Sequence, residues 1–166
     1  QLLESAVRRL KNEPDLRPQP VHLELDVPAH IPSHYIQAPR SRIEIYRRMV
    51  VCRTERELEQ LQHDLKDAFG PFPPPVHRLL ELAEMRILAR RWGISSIILR
   101  EPDIVFTVDN VSRVDSLFAD APGTARMPDP NTVHLRLPPS YLEPATLLAV
   151  LRKMLRSEAP VEEAAP

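Results

Sequence analysis

Glycine is scarce: Gly70, Gly93 and Gly123 are the three in 166 residues. No two stand close enough for a G-x-G-x-x-G or a G-x-x-x-x-G-K-[ST] loop, so neither dinucleotide nor P-loop chemistry is encoded in this stretch. Cysteine is scarcer still. Cys52 stands alone, which excludes an internal disulfide, a C-x-x-C redox pair and a multi-cysteine zinc site. Long apolar runs are missing too. The longest clear one, Leu147 to Leu151, falls far short of the ~20 residues of a membrane span. No signal-peptide pattern opens the chain. Nor is there an excess of either charge: 22 Lys and Arg face 23 Asp and Glu, for a net charge of -1. A nucleic-acid-binding domain usually carries a clear basic surplus. These absences imply a soluble, cytoplasmic chain with no membrane partner and no cofactor of its own.

What is plentiful is proline, 19 residues, against an average of roughly 5%. Among the basic residues only Lys11, Lys66 and Lys153 are lysine, which leaves 19 arginines. Arginine suits bidentate pairing with carboxylates and interfaces, though genomic base composition is the plainer and favoured explanation of the bias. The chain opens on Gln1, and residues 1–11 carry Leu3, Val7 and Leu10 at helical spacing. This reads as the end of a helix from something longer. Residues 1–20 are accordingly the end of a preceding helix and a proline-rich linker. Residues 21–156 form the domain, and 157–166 a disordered tail.

Within the domain, Val21 to Val27 alternates apolar and polar residues, the mark of a half-buried strand. Pro28, Pro32 and Pro39 then stiffen an extended segment that lies across a neighbouring surface. Ser41-x-x-Glu44 reads as a capping box opening a helix to about Val51, with Ile43, Tyr46, Met49 and Val50 inward. Thr54-x-x-Glu57 is a second box, and Gly70 suits the end of that helix. A third helix starts near Pro75 and stops at Gly93. Ile94–Leu99, Ile104–Val108 and Thr132–Leu137 are strands, Val111–Ala119 a short helix, and Pro144–Arg156 a last helix. The expected fold is α+β: an N-terminal strand and a three-helix layer packed with a small mixed sheet and a C-terminal helix.

Candidate chemistry is thin. His30 and His34 have the spacing of two metal ligands on a helix, but Pro28 and Pro32 oppose a helix there and no third ligand is near. The other histidines are scattered, and no nucleophile–base signature assembles, so no catalytic residue is assigned. The second helix is more informative. At about 100° per residue its buried stripe is Leu58, Leu61, Leu65 and Ala68. Glu57, Gln60, Asp64 and Asp67 then share one flank. Asp64 and Asp67 sit near the helix C-terminus, where the dipole disfavours negative charge. Either the flank is merely solvated, or it docks an arginine-bearing partner. On the third helix Arg78, Arg86, Arg90 and Arg91 could contact nucleic acid, although Glu81 and Glu84 dilute them and no aromatics interleave. A third reading, a small enzyme built from scattered Asp and His, requires a concave pocket with shifted pKa values.

Four segments then carry a resemblance: Leu25 to Ile36 (LDVPAHIPSHYI), Arg42 to Met49 (RIEIYRRM), Asp67 to Pro73 (DAFGPFP), and Leu79 to Ile94 (LLELAEMRILARRWGI). Together they resemble the C-terminal domain of bacterial transcription-repair coupling factors, closely over 21–94 and loosely over 95–156. The resemblance implies a large multidomain parent, an ATP-dependent DNA translocase that displaces stalled RNA polymerase and recruits UvrA in nucleotide excision repair. ATP and Mg belong to the parent's motor. The C-terminal domain docks on the parent's UvrB-like N-terminal module and masks its UvrA-binding surface. The family's acidic docking positions correspond here to Asp64 and Asp67. This chain departs from the family at Ala68, where an arginine often stands. The alternative is an auxiliary DNA-binding module using the third-helix arginines.

Overall fold

In the computed structural model, residues 19–157 are described; the readings of residues 1–18 and 158–166 lie outside them. Five strands form one sheet: β1 (His22–Glu24), β2 (Ile94–Arg100), β3 (Asp103–Val108), β4 (Thr124–Asp129) and β5 (Thr132–Arg136). Their order is β1-β2-β3-β5-β4, with β1 parallel to β2 and every other pairing antiparallel. Five helices accompany them: α1 (Pro39–Val51), α2 (Glu55–Phe69), α3 (Pro74–Arg91), α4 (Asp115–Ala119) and α5 (Pro144–Leu155). The expected α+β class and its mixed sheet are what the chain adopts. Among the described residues no helix is long and apolar enough to cross a membrane.

Alternation along the strands decides which face is covered. Ile97 opposes Phe106, and Phe106 opposes Val133. All three are buried. On this face α3, α4 and α5 pack, with Met85, Leu88, Leu117, Leu148 and Leu151 in the same core. Phe106 and Phe118 meet edge-on at 4.9 Å. The other face carries Ser96, Thr107, His134 and Arg136, in keeping with a sheet packed on one side.

A second core lies between α1, α2 and α3. Leu58, Leu61 and Leu65 of α2 meet Val76, Leu80, Ala83 and Ile87 of α3, together with Met49 and the strap residues Ile31 and Ile36. Helix α3 therefore serves both cores from different sides. The proline-stiffened strap does cross the helices, and polar groups pin it. Its Ile31 N–H donates to the Tyr46 hydroxyl at 2.7 Å, and Tyr35 Oη donates to the Gly70 carbonyl at 2.8 Å.

Several expectations need correction. Helix α1 begins at Pro39 with Ala38 as its N-cap, so Ser41 lies inside it and caps nothing. Proline's fixed φ and missing N–H suit the first turn. The helix turns Ile45, Tyr46 and Met49 to the core, so Ile43 and Val50 point outward, at 53% and 46% exposure. Ala68, placed in the α2 stripe, is exposed. Strand β1 is shorter than Val21–Val27 because Asp26 takes φ 55°, which breaks the extended run. The Val111–Ala119 helix divides into a 3-10 turn at Val111–Arg113 and the short α4. Strand β4 was not anticipated. It is an edge strand with Pro128 in it and little apolar alternation.

Candidate functional site

The Thr54 capping box forms as expected. Thr54 Oγ1 accepts the Glu57 N–H at 3.1 Å. Glu57 reaches back one residue further than usual and accepts the Arg53 N–H at 2.9 Å. Helix α2 is thus fixed at its start, and Leu58, Leu61 and Leu65 fix its rotation. Glu57, Gln60 and Asp67 are exposed on the outward flank, and Asp64 is half-exposed beside them.

Asp64 is not free. Its Oδ2 accepts from Arg48 Nη2 of α1 at 2.9 Å, and its Oδ1 accepts from Gln60 Nε2 at 2.9 Å. The hydrogen bonds from Arg48 and then Gln60 hold its carboxyl below the usual range, against a smaller opposing effect of burial. It therefore stays ionised on this surface. Asp67 faces His63 one turn earlier, at 3.2 Å, with 72% of its side chain exposed. Gln60 and Asp64 therefore act together, Asp67 stands one turn on, and Glu57 is engaged at the cap.

Sequence reasoning missed Arg48. It ties α1 to the acidic flank and also lines a shallow groove on the outer side of α1 with Arg40, Ile43, Glu44, Arg47 and Val51. Ile43 and Val51 are 53% and 66% exposed. Exposed apolar side chains thus adjoin the carboxylates through Arg48. The face that α1 turns to the core, with Ile45, Tyr46 and Met49, leaves Ile43 outside, and the apolar pattern alone did not choose between these isoleucines.

The α3 arginines scatter. Arg78 Nη1 donates to the Pro28 carbonyl at 3.5 Å, and Arg91 pairs with Glu55 at 3.3 Å. Arg86 and Arg90 line a common cavity, where burial pushes the Arg86 guanidinium below its ordinary pKa. These four side chains do not make one basic stripe. His30 and His34 lie on the strap beside Pro73, Pro74 and Pro75. Among the described residues no group of three His, Cys, Asp or Glu could hold a metal ion. Burial, then Glu57, pushes the Cys52 thiol up, with Arg48 opposing, and its Sγ donates to the Arg48 carbonyl at 3.1 Å.

Other carboxylates with lowered pKa sit apart from this surface. Asp103, 8% exposed, accepts from Arg136 Nε at 2.9 Å and Arg126 Nη2 at 3.0 Å on the open face of the sheet. Burial alone would raise Glu84, but hydrogen bonds from Arg156 and Arg152 outweigh it. Glu143 caps α5 through Thr146 and Ala145. Each of these three has its own structural partner, and they do not converge with Asp64 on one cavity.

The fold and the site define an α+β domain whose chemistry-bearing side chains are displayed on a helical surface. Residues 25–117 match the TRCF domain family, and the chain belongs to that family. It is 37% identical over 102 residues to the transcription-repair-coupling factor of Escherichia coli, covering 58% of this chain and 9% of that protein. It is 38% identical over 100 residues to the one from Staphylococcus haemolyticus, covering 58% and 8%. Against the Mycobacterium tuberculosis protein it is 38% identical over 80 residues, covering 48% and 6%. The chain thus spans less than a tenth of these relatives. A crystal structure of the C-terminal domain of transcription-repair coupling factor superposes with a TM-score of 0.66 at 20% identity, covering 82% of this chain and 91% of that one. That likeness concerns the fold.

Proposed function

We propose that this chain is a non-catalytic regulatory domain of a transcription-repair coupling factor. It docks through α2 on the UvrB-like N-terminal module of its own parent and masks the surface that recruits UvrA. The parent's ATP-driven translocation on DNA and its action on RNA polymerase belong to other domains. One observation carries the reading. Asp64 and Asp67 stand on an outward helix flank, and Arg48 joins that flank to exposed Ile43 and Val51. A solvated face needs charge but gains nothing from exposed Ile and Val, whereas an interface uses apolar contact for affinity and charge for register.

Arg48 preorganises Asp64 without neutralising its flank, because Asp67 and Gln60 remain open to solvent. An arginine on the partner would find carboxylate oxygens already oriented, which lowers the entropy lost on docking. Ala68 offers no cationic contact of its own, so the flank presents acid alone at this point.

The test is a calorimetric titration of the parent's separate N-terminal module with this chain. Binding should weaken as salt rises from 50 to about 500 mM, because exposed charges are screened. Asp64→Asn with Asp67→Asn should weaken it at least several-fold. Binding that is undiminished by the double variant would overturn docking through this flank.

A further inference from the structure

Arg48 is the side chain that joins the two halves of the candidate surface. Its Nη2 donates to Asp64 Oδ2 at 2.9 Å, the one side-chain hydrogen bond from α1 to α2 among the described residues. Asp64 Oδ1 accepts from Gln60 Nε2 at 2.9 Å. Arg48, Asp64 and Gln60 thus hold one another in a chain at the surface. The ion pair is half-exposed, 42% at Arg48 and 41% at Asp64.

A nearer carboxylate was open to Arg48. Glu44 stands one turn before it on α1 and lines the same groove. A glutamate N-terminal to its cation is the favourable order for a pair along one helix. The guanidinium nevertheless reaches across to α2. Folding gains little from that bond, because exposed ion pairs contribute little and Met49, Leu58, Leu61 and Leu65 already share one core. What the bond does is fix side chains. An exposed aspartate or glutamine is free to change rotamer, and docking must remove that freedom. Arg48 removes it beforehand. Asp67, by contrast, meets only His63 of its own helix and is 72% exposed.

We propose that Arg48 is the positioning residue of the docking face, and that Asp64 and Asp67 play different parts there. Arg48 holds Asp64 and Gln60 in the geometry that an arginine of the partner meets, whereas Asp67 makes its contact unaided. This role rests on docking through α2 and describes how that face is built. Charge counting alone predicts otherwise. Arg48 is a cation beside an acidic flank, so removing it makes the flank more negative. If charge decided the matter, docking on an arginine-bearing surface would tighten. Positioning requires it to loosen.

The affinity of the full-length parent for UvrA reads docking in reverse, since the masked surface is freed as this face lets go. Asp64→Arg with Asp67→Arg is the reference for a released face. Arg48→Met should raise the UvrA affinity at least about threefold, and Arg48→Lys, which keeps a donor, by less. Adding Asp64→Asn to Arg48→Met should change it by less than about twofold, because both remove one interaction. Adding Asp67→Asn should raise it several-fold further. The melting temperature of the 166-residue chain should move by no more than about 3 °C in Arg48→Met. Unchanged or weakened UvrA binding by Arg48→Met, beside a reference that binds more tightly, would overturn the positioning role and leave docking standing. So would full additivity of Arg48→Met and Asp64→Asn. A larger fall in melting temperature would overturn it as well, since Arg48 would then be structural. A reference variant with unaltered UvrA affinity would instead strike docking itself, and the positioning role with it.

Discussion

Single side chains join the parts of this domain, and two of them can be weighed. Trp92 closes α3, is 2% exposed, and donates its Nε1–H to the Leu155 carbonyl at 3.0 Å. That bond holds the end of α5 against the end of α3. Trp92→Phe keeps an aromatic ring but leaves a buried carbonyl unpaired, so urea unfolding should show a loss of about 1–3 kcal/mol. Glu84 does the same work from the other side. It accepts from Arg152 Nη2 at 2.6 Å and Arg156 Nε at 3.0 Å. Its pKa lies below the ordinary 4.5 once those bonds outweigh burial. A carboxylate lowered by folding contributes stability that is present above the unfolded value and is lost as pH falls through the folded one. Glu84→Gln should therefore lower stability at pH 7 and flatten its decline below about pH 4.5, measured as unfolding free energy against pH. An unaltered acid limb would mean that Glu84 is not a source of acid sensitivity.

At the scale of elements, what could be read in advance depended on local chemistry. Helix α2 was legible because Thr54, Glu57 and the Leu58, Leu61 and Leu65 stripe all specify the same start and the same phase. Thr54→Ala should lower stability by about 1 kcal/mol in chemical denaturation, with the signals of the first turn of α2 most affected. Helix α1 misled, because Ser41 and Glu44 mimic a capping box while Pro39 had already begun the helix. A separate misreading of its face placed Ile43 inside in place of Ile45, and so hid the apolar half of the candidate surface. Strand β4 was invisible because an edge strand needs no buried face. Gly123, which leads into it, has φ 107°, and a Cβ there would come within 2.1 Å of the Arg136 carbonyl oxygen. That close approach depends on β5, far along the chain, and no local pattern records it. The acidic flank was legible from helical geometry, but its partner Arg48 was not, since that contact crosses from α1 to α2.

For the whole molecule, the scarcity of glycine and abundance of proline describe a stiff domain. Prolines stand at the strap, at the start of α1 and at the corner before α3. Rigid joints reduce the freedom that docking must remove. A sheet-and-helix core and a core of helices and strap share α3, so the strap, α1 and α2 are held as one unit with the sheet. A surface carried on such a unit can mask a partner without rearranging itself.

The proposed function requires the α2 flank to cover the recruitment surface of its parent. The most direct measurement is a UvrA pull-down with the full-length parent carrying Asp64→Arg and Asp67→Arg, with circular dichroism of the variant domain as the check on folding. Charge reversal is chosen because exposed ion pairs contribute too little for simple truncation to be decisive. The variant should retain more UvrA than the unaltered protein. Unchanged retention by a properly folded variant would contradict it.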